Sequence, residues 1–167
     1  MRCFELAVGD LDRYIVLRRR MLATDPHAFG AHPDSDGALD PAVLGARLSS
    51  ECNSIIVVEV DGSLVASAGV YRDITPKVRH RAVVWGVYVE PSVRGLGYGR
   101  VVMERALSEA ASWVGVDRAC LSVSSGAPAA RQLYESLGFV VWGVEPACLD
   151  ISGVRYDEIH MQRVFPH

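Results

Sequence analysis

Arg94-Gly95-Leu96-Gly97-Tyr98-Gly99-Arg100 is the stretch of this chain best equipped for chemistry. Glycines at 95, 97 and 99 remove side chains where a ligand must approach the backbone. The stretch follows the apolar run Val87-Tyr88-Val89, which Glu90-Pro91 ends, and it precedes a long amphipathic pattern. It therefore reads as a turn feeding the N-terminus of a helix. The first N–H groups of a helix have no acceptor within it, and the helix dipole adds partial positive charge beside them. Amides that converge there suit an anion. Arg94 and Arg100 add full charges able to contact phosphate, so a pyrophosphate is the natural guest. Two familiar phosphate motifs do not fit. A Walker A loop needs Gly-Lys-Ser/Thr where this chain has Gly99-Arg100-Val101. The dinucleotide fingerprint needs glycine at position 100 and a following βαβ unit on a parallel sheet. A glycine-rich turn without a ligand is the plain alternative, yet alternate glycines weaken a helix start unless something requires them.

Other residues are less explicit. Tyr134 lies on a stripe with Ala130, Leu133 and Leu137, and by periodicity alone it is a half-buried aromatic facing a core. No general base is legible. His80 reads as surface at the start of a strand, Glu59 carries no pattern, and Glu90 reads as solvated. A water relay is a further route for the proton. His27 and His32, with Asp34 and Asp36 nearby, read as loop residues, and no metal is expected. Cys3, Cys52, Cys120 and Cys148 are widely spaced, without CxxC or zinc-finger spacing. They read as small buried apolar residues in a reducing compartment.

The elements that must hold the turn follow from the hydrophobic pattern. Residues 2–8 read as a first strand, and a helix should run from an N-cap at Asp10 until Pro26 ends it. Leu11, Ile15, Leu17, Met21 and Leu22 give that helix its apolar face, while Arg18-Arg19-Arg20 reads as a solvated face. Asp40-Pro41 opens a second helix, with Asp at the N-cap and Pro at N1. Ser54 to Val60 and Leu64 to Tyr71 form a hairpin about Asp61-Gly62, and a third strand covers about 79–89. The long helix should span 97–114, with Met103, Ala106, Leu107, Ala110 and Val114 on its buried face. A strand at 119–124, a helix at 128–137 with Gly138 as its stop, and strands at 139–143 and 154–162 complete the chain. No linker, repeat or low-complexity stretch interrupts it, so residues 1–167 are expected to form one domain.

Bulk properties narrow the partners. Half of the 167 residues are apolar and 22% are charged, enough for a sizeable core. The net charge of −3 gives no basic footprint for nucleic acid. The first five residues lack the apolar run of a signal peptide, and no uncharged stretch is long enough to span a bilayer. A cytoplasmic protein without a membrane partner is the expectation.

Arg94-Gly95-Leu96-Gly97-Tyr98-Gly99 is similar to the (Arg/Gln)-x-x-Gly-x-(Gly/Ala) acyl-CoA signature of the GNAT N-acetyltransferase superfamily. Val89-Glu90-Pro91 matches that family's usual strand ending, and Ala130-x-x-Leu133-Tyr134-x-x-x-Gly138-Phe139 resembles its second hallmark at the expected distance. Together these cover residues 79–143. The resemblance implies an α+β, three-layer fold whose mixed, mostly antiparallel sheet has about seven strands flanked by about four helices. It also implies acetyl-CoA as cosubstrate, without a metal, and an acetyl group passed by direct attack to a primary amine of a small molecule or peptide. Amides of Arg94, Gly95, Leu96, Gly97, Tyr98, Gly99 and Arg100 would hold the pyrophosphate. Main-chain groups of Val87 and Val89 would pair with the pantetheine arm like an added strand. The Val89 amide would polarise the thioester carbonyl, and Tyr134 would protonate the departing thiolate.

The chain departs from the family pattern at Ala127, where Asn is usual, with Ser124 or Ser125 as candidate replacements. The loop at Pro26 to Gly30 corresponds to one that borders the acceptor cleft in relatives. Its Phe29, together with Trp85 and Tyr88, offers aromatic walls for the acceptor, although all three also fit plain core packing. Val140-Val141-Trp142 offers an apolar edge at which family members pair, so a homodimer is favoured over a monomer. A non-catalytic acyl-CoA-binding sensor or interaction domain is the alternative reading.

Overall fold

A hairpin at Asp61-Gly62 organises the first half of the chain in the computed structural model, which describes residues 1–166. Asp61 and Gly62 have φ of +49° and +79°, the left-handed pair that a two-residue loop requires to match strand twist. The hairpin joins β2 (Asn53–Val60) to β3 (Ser63–Arg72). Short β1 (Arg2–Glu5) flanks β2, and β4 (Arg81–Val89) flanks β3, all antiparallel. Then β5 (Arg118–Ser124) pairs with β4 in parallel, and β6 (Val140–Ile151) and β7 (Val154–Val164) close an open, mixed, seven-stranded sheet of order β1-β2-β3-β4-β5-β7-β6.

Helices on both faces explain why β2 is an unbroken apolar run rather than an alternating one. Ile55 and Val57 enter the cluster beneath α1 (Leu11–Thr24) and α2 (Pro41–Leu48). Ile56 and Val58 enter the opposite cluster, with α3 (Tyr98–Ser112) and α4 (Pro128–Ser136). That second cluster spans β2 to β5 and β7, whereas the cluster beneath α1 and α2 stops at β4. One face of β5, β7 and β6 is left without that cover.

Several expectations need correction. Asp10 does not cap α1 with its side chain, because its carboxylate pairs with Arg13 at 2.8 Å. Arg18 is not solvated. Its Nε lies 2.6 Å from Asp36 Oδ2, and both side chains are buried. Val114 is 90% exposed, since α3 stops at Ser112 and Gly115 follows with φ of +82°. The first strand is shorter than 2–8, and the third begins at Arg81. β6 continues eight residues past the expected end at Gly143, and its register slips between Glu145 and Leu149. This edge strand accommodates Pro146 at the irregularity, where Asp157 Oδ1 accepts the Ala147 N–H at 2.9 Å. Asp40 behaves as expected, accepting the amides of Ala42 and Val43 at the start of α2.

Candidate functional site

The sheet opens at its centre. β4 and β5 pair only from Arg81 opposite Arg118 to Val83 opposite Cys120, and the strands part beyond that point. A bulge helps set the divergence. Between Ser67 and Gly69 the register shifts, so β4 carries one extra residue there, with Gly86 at φ of +61°. Ser67 Oγ donates to the Gly86 carbonyl at 2.8 Å and fixes the distortion. Just past it, Glu90 N–H donates to the Val65 carbonyl at 2.8 Å. By alternation Tyr88 also faces β3, which turns the main chain of Val87 and Val89 toward the gap.

At the end of this strand the backbone leaves a helix start uncapped. Gly97 is the N-cap of α3, with φ of +84° and no side-chain cap, and the first helical bond runs from Val101 N–H to Gly97 O at 3.1 Å. The amides of Tyr98, Gly99 and Arg100 therefore have no acceptor in the helix. Gly95 has φ of +81°, and a Cβ built at Gly95 or Gly97 would meet nothing within 4 Å. Glycine is thus required by the left-handed backbone, and the space above it stays open to a ligand. Gly99 is tighter: a Cβ there would come within 3.2 Å of Leu133 and 3.4 Å of Val89.

A cleft of about 580 Å³ runs from this turn along Val87 and Val89 to Ala130, Leu133 and Tyr134 of α4. Tyr98 and both flanking arginines line it, but Leu96 is 63% exposed and does not. The arginine side chains already have internal partners. Arg94 pairs with Asp25 and donates Nε–H to the Val89 carbonyl at 3.0 Å. With Glu90 N–H bonded to Val65 O, strand alternation directs the Val89 N–H away from β3, toward the gap. Arg100 reaches Ser136 Oγ at 2.8 Å and Glu104 at 3.3 Å.

Tyr134 is 6% exposed, its ring 6.1 Å from that of Phe139, and its hydroxyl has no hydrogen-bond partner among the described residues. Burial pushes the phenol well above its ordinary range, so it stays protonated at neutral pH and can donate. At the expected Asn position, Ala127 precedes α4 without a side-chain cap. The two candidate serines serve the backbone: Ser124 Oγ accepts the Gly126 N–H and Ser125 Oγ the Asp157 N–H, each at 3.1 Å.

On the other face a second cleft, of about 660 Å³, opens over the same gap. Phe29 and Trp85 form one wall, Ser122, Trp142, Glu158 and His160 the other, and Ala28 borders both clefts. Arg18 lies 5.0 Å over the Phe29 ring and 5.6 Å over Trp85. Tyr88 is not brought to this wall. It is 3% exposed, with its hydroxyl 2.9 Å from Thr24 Oγ1 and 3.2 Å from Glu90 Oε2. Glu90 in turn pairs with Arg20 at 2.8 Å and is largely buried, not solvated. His80 lines the second cleft, Glu59 is paired with Arg13, and His27 stacks edge-on against Tyr156 at 5.0 Å.

Trp85 occupies its place because residue 69 has no side chain. A Cβ at Gly69 would lie 2.4 Å from indole Cε2, far inside contact distance. Gly69→Ala should therefore force the indole off the floor of the cleft, at a cost of about 1–3 kcal/mol for the overpacked site. A lowered melting temperature with altered tryptophan emission is the expected result. An unchanged melt and spectrum would show that the indole is not held there.

Sequence reasoning missed the second wall. Ser122 on β5 and Glu158 and His160 on β7 recur at every second position, the mark of an uncovered sheet face. Glu158 Oε1 accepts the Ser122 hydroxyl at 2.6 Å, and Oε2 accepts the Cys148 thiol at 3.4 Å. Among the described residues, Glu145, Glu158 and His160 are the one group of metal-ligand type whose candidate atoms all lie within 4.8 Å of one another. His27 and His32 are not part of it. No helix of the described residues is long and apolar enough to cross a membrane.

A model of the acetyltransferase (GNAT) family matches residues 19–139. No curated protein matches the chain. The fold is similar to an acetyltransferase of the GNAT family from Streptococcus pneumoniae, with a TM-score of 0.86 and 21% identity over 98% of this chain and 99% of the other. It is also similar to yncA from Salmonella typhimurium, solved with its cofactor acetyl-CoA (TM-score 0.84, 22% identity, 100% of this chain and 95% of that one). A ribosomal-protein-alanine N-acetyltransferase from Brucella melitensis matches with a TM-score of 0.84 and 19% identity, over 99% of this chain and all (100%) of that one.

Proposed function

This chain belongs to the GNAT acetyltransferase family, and from that premise we propose that it moves the acetyl group of acetyl-CoA to a primary amine of a small molecule or peptide. The observation that carries the reading is one cleft that joins an uncapped helix start, an outward-turned β4 edge and a protonated buried phenol. The residues present fit the cofactor. The amides after Gly97 match a pyrophosphate, and the open space above Gly95 and Gly97 admits it.

Bound acetyl-CoA supplies a thioester whose sulfur can leave. The Val89 N–H faces the gap and would donate to the carbonyl oxygen, where charge develops during attack. Tyr134 would give its hydroxyl proton to the departing sulfur. Arg94, by holding the Val89 carbonyl and Asp25, would keep that amide aimed at the gap. The second cleft is where the amine would enter, against Phe29 and Trp85, for direct attack in a ternary complex. The neighbours support both substrates: acetyl-CoA for the Salmonella protein, and a ribosomal-protein alanine for the Brucella one.

Thiol release from acetyl-CoA across glycine, tyramine, spermidine, an aminoglycoside and an alanine-initiated hexapeptide tests the reading. Acetylation of any of these supports it. Tight acetyl-CoA binding with no release from any amine would favour a non-catalytic acyl-CoA-binding domain instead.

We take residues 1–167 to act as a single acetyltransferase domain, in the reducing cytoplasm that four free cysteines suit. Edge strand β6 exposes Val140, Trp142 and Val144 by 53–60%, and we expect it to pair two copies. Sedimentation at micromolar concentration should show a dimer, and a lone 18.2 kDa species would remove the assignment.

A further inference from the structure

We propose that Glu158 is the residue that receives the acceptor's ammonium group and takes its proton. The inference rests on the acetyl-transfer reading and supplies the base that the sequence does not reveal. Glu158 is the one carboxylate lining the acceptor-side cleft among the described residues. Its position follows from strand register. Glu158 stands opposite Ser124 on β5, and its carboxylate leans back to Ser122, two residues past the last β4–β5 pair at Cys120. The carboxylate thus borders the gap, across from Trp85 and the Gly86 bulge on β4.

Two donors fix the orientation of its carboxyl group. Ser122 Oγ donates at 2.6 Å and Cys148 Sγ at 3.4 Å, one to each oxygen, which leaves further lone pairs for the cleft. Partial burial, with Glu158 and Glu145 beside it, pushes the Cys148 thiol up to about 11, so it remains a donor at neutral pH. The other titratable groups nearest Glu158 are Glu145 on β6 and His160 on β7, themselves 3.7 Å apart. Across the cleft Arg18 is already neutralised by Asp36, while His80, Arg81 and Arg118 lie toward the closed end of the gap. An ammonium entering the cleft therefore meets its single negative wall at Glu158.

The protons balance. The acceptor arrives as RNH3⁺ and gives one proton to Glu158, which passes it to solvent. Its lone pair forms the C–N bond as the C–S bond breaks. Tyr134 protonates the sulfur and is restored by the second nitrogen proton, so the sum is RNH3⁺ and acetyl-CoA giving RNH–acetyl, CoA thiol and H⁺.

Glu158→Gln tests this with the fastest amine of the panel above. At pH 7 kcat/KM should fall about 10²-fold, the usual size of a lost general base. The variant can use only free amine, so its kcat/KM should climb tenfold per pH unit up to the amine's own pKa, whereas the wild type should stay flatter. Glu158→Asp should recover part of the loss. Amine affinity of the cofactor-free protein, followed by emission of Trp85 and Trp142, should weaken at least tenfold in Glu158→Gln. Acetyl-CoA affinity by calorimetry should not change. A Gln variant with the wild-type pH profile and amine affinity overturns the assignment and leaves acetyl transfer standing. Wild-type protein that acetylates no amine overturns both.

Discussion

Tyr134→Phe is expected to lower turnover by about 10²–10⁴-fold, the usual contribution of a positioned general acid. The substitution removes one oxygen and keeps the ring that packs beside Phe139. Because the hydroxyl has no hydrogen-bond partner among the described residues, no buried group is orphaned by its loss. Thermal stability should therefore stay close to wild type. Acetyl-CoA affinity should also hold, since the helix amides and the β4 edge are untouched. Burial keeps the phenol protonated throughout the neutral range, so the defect should not be rescued by moderate changes of pH. The discriminating measurement is single-turnover acetyl transfer, where chemistry limits the rate. Wild-type turnover in the Phe variant would remove Tyr134 as the acid and leave positioning and the Val89 amide to account for catalysis.

Gly97→Asp should weaken CoA binding by about 10²–10³-fold. Position 97 has φ of +84° and open space around its missing Cβ, so an Asp side chain would stand in the volume left for the ligand. Two like charges about 4 Å apart repel by about 4 kcal/mol at the effective dielectric of a protein surface, and salt reduces this somewhat. Folding should suffer less. The left-handed conformation costs a non-glycine residue about 1–2 kcal/mol, and Asp is among the residues that tolerate it. Calorimetry with CoA, beside a thermal melt, separates the effects. Retained affinity in a folded variant would count decisively against the turn as the phosphate site.

What could be read from the sequence was carried by local signals. Asp61-Gly62 demanded a left-handed turn, the alternate glycines at 95, 97 and 99 marked an open helix start, and the stripe through Leu133 and Tyr134 marked a buried helix face. Each of these is decided within a few residues of chain. The misses concern partners brought in from afar. Arg18 looked solvated within its run of arginines, because the acid that buries it, Asp36, sits in an irregular loop. Val114 kept the helical period after the helix had stopped. Pro146 hid the second half of β6, since an edge strand can absorb a proline that a central one cannot. The wall formed by Ser122, Trp142, Glu158 and His160 was the largest loss. Alternating polar residues on β5 and β7 announce an uncovered face, but only the strand order β5-β7-β6 sets that face beside the gap.

The short parallel contact between β4 and β5 has a consequence for how such a molecule can diversify. Three residue pairs join the strands that carry the helix-start turn and the bulge to those that carry Ser122, Glu158, His160 and Trp142. Outward-facing positions of β6 and β7 can therefore be exchanged with little strain passed to Gly86, Gly97 or Val89. Choice of acceptor and grip on the acyl donor become separately heritable properties. A lineage that remodels the outer wall can adopt new amines while its acetyl source stays the same.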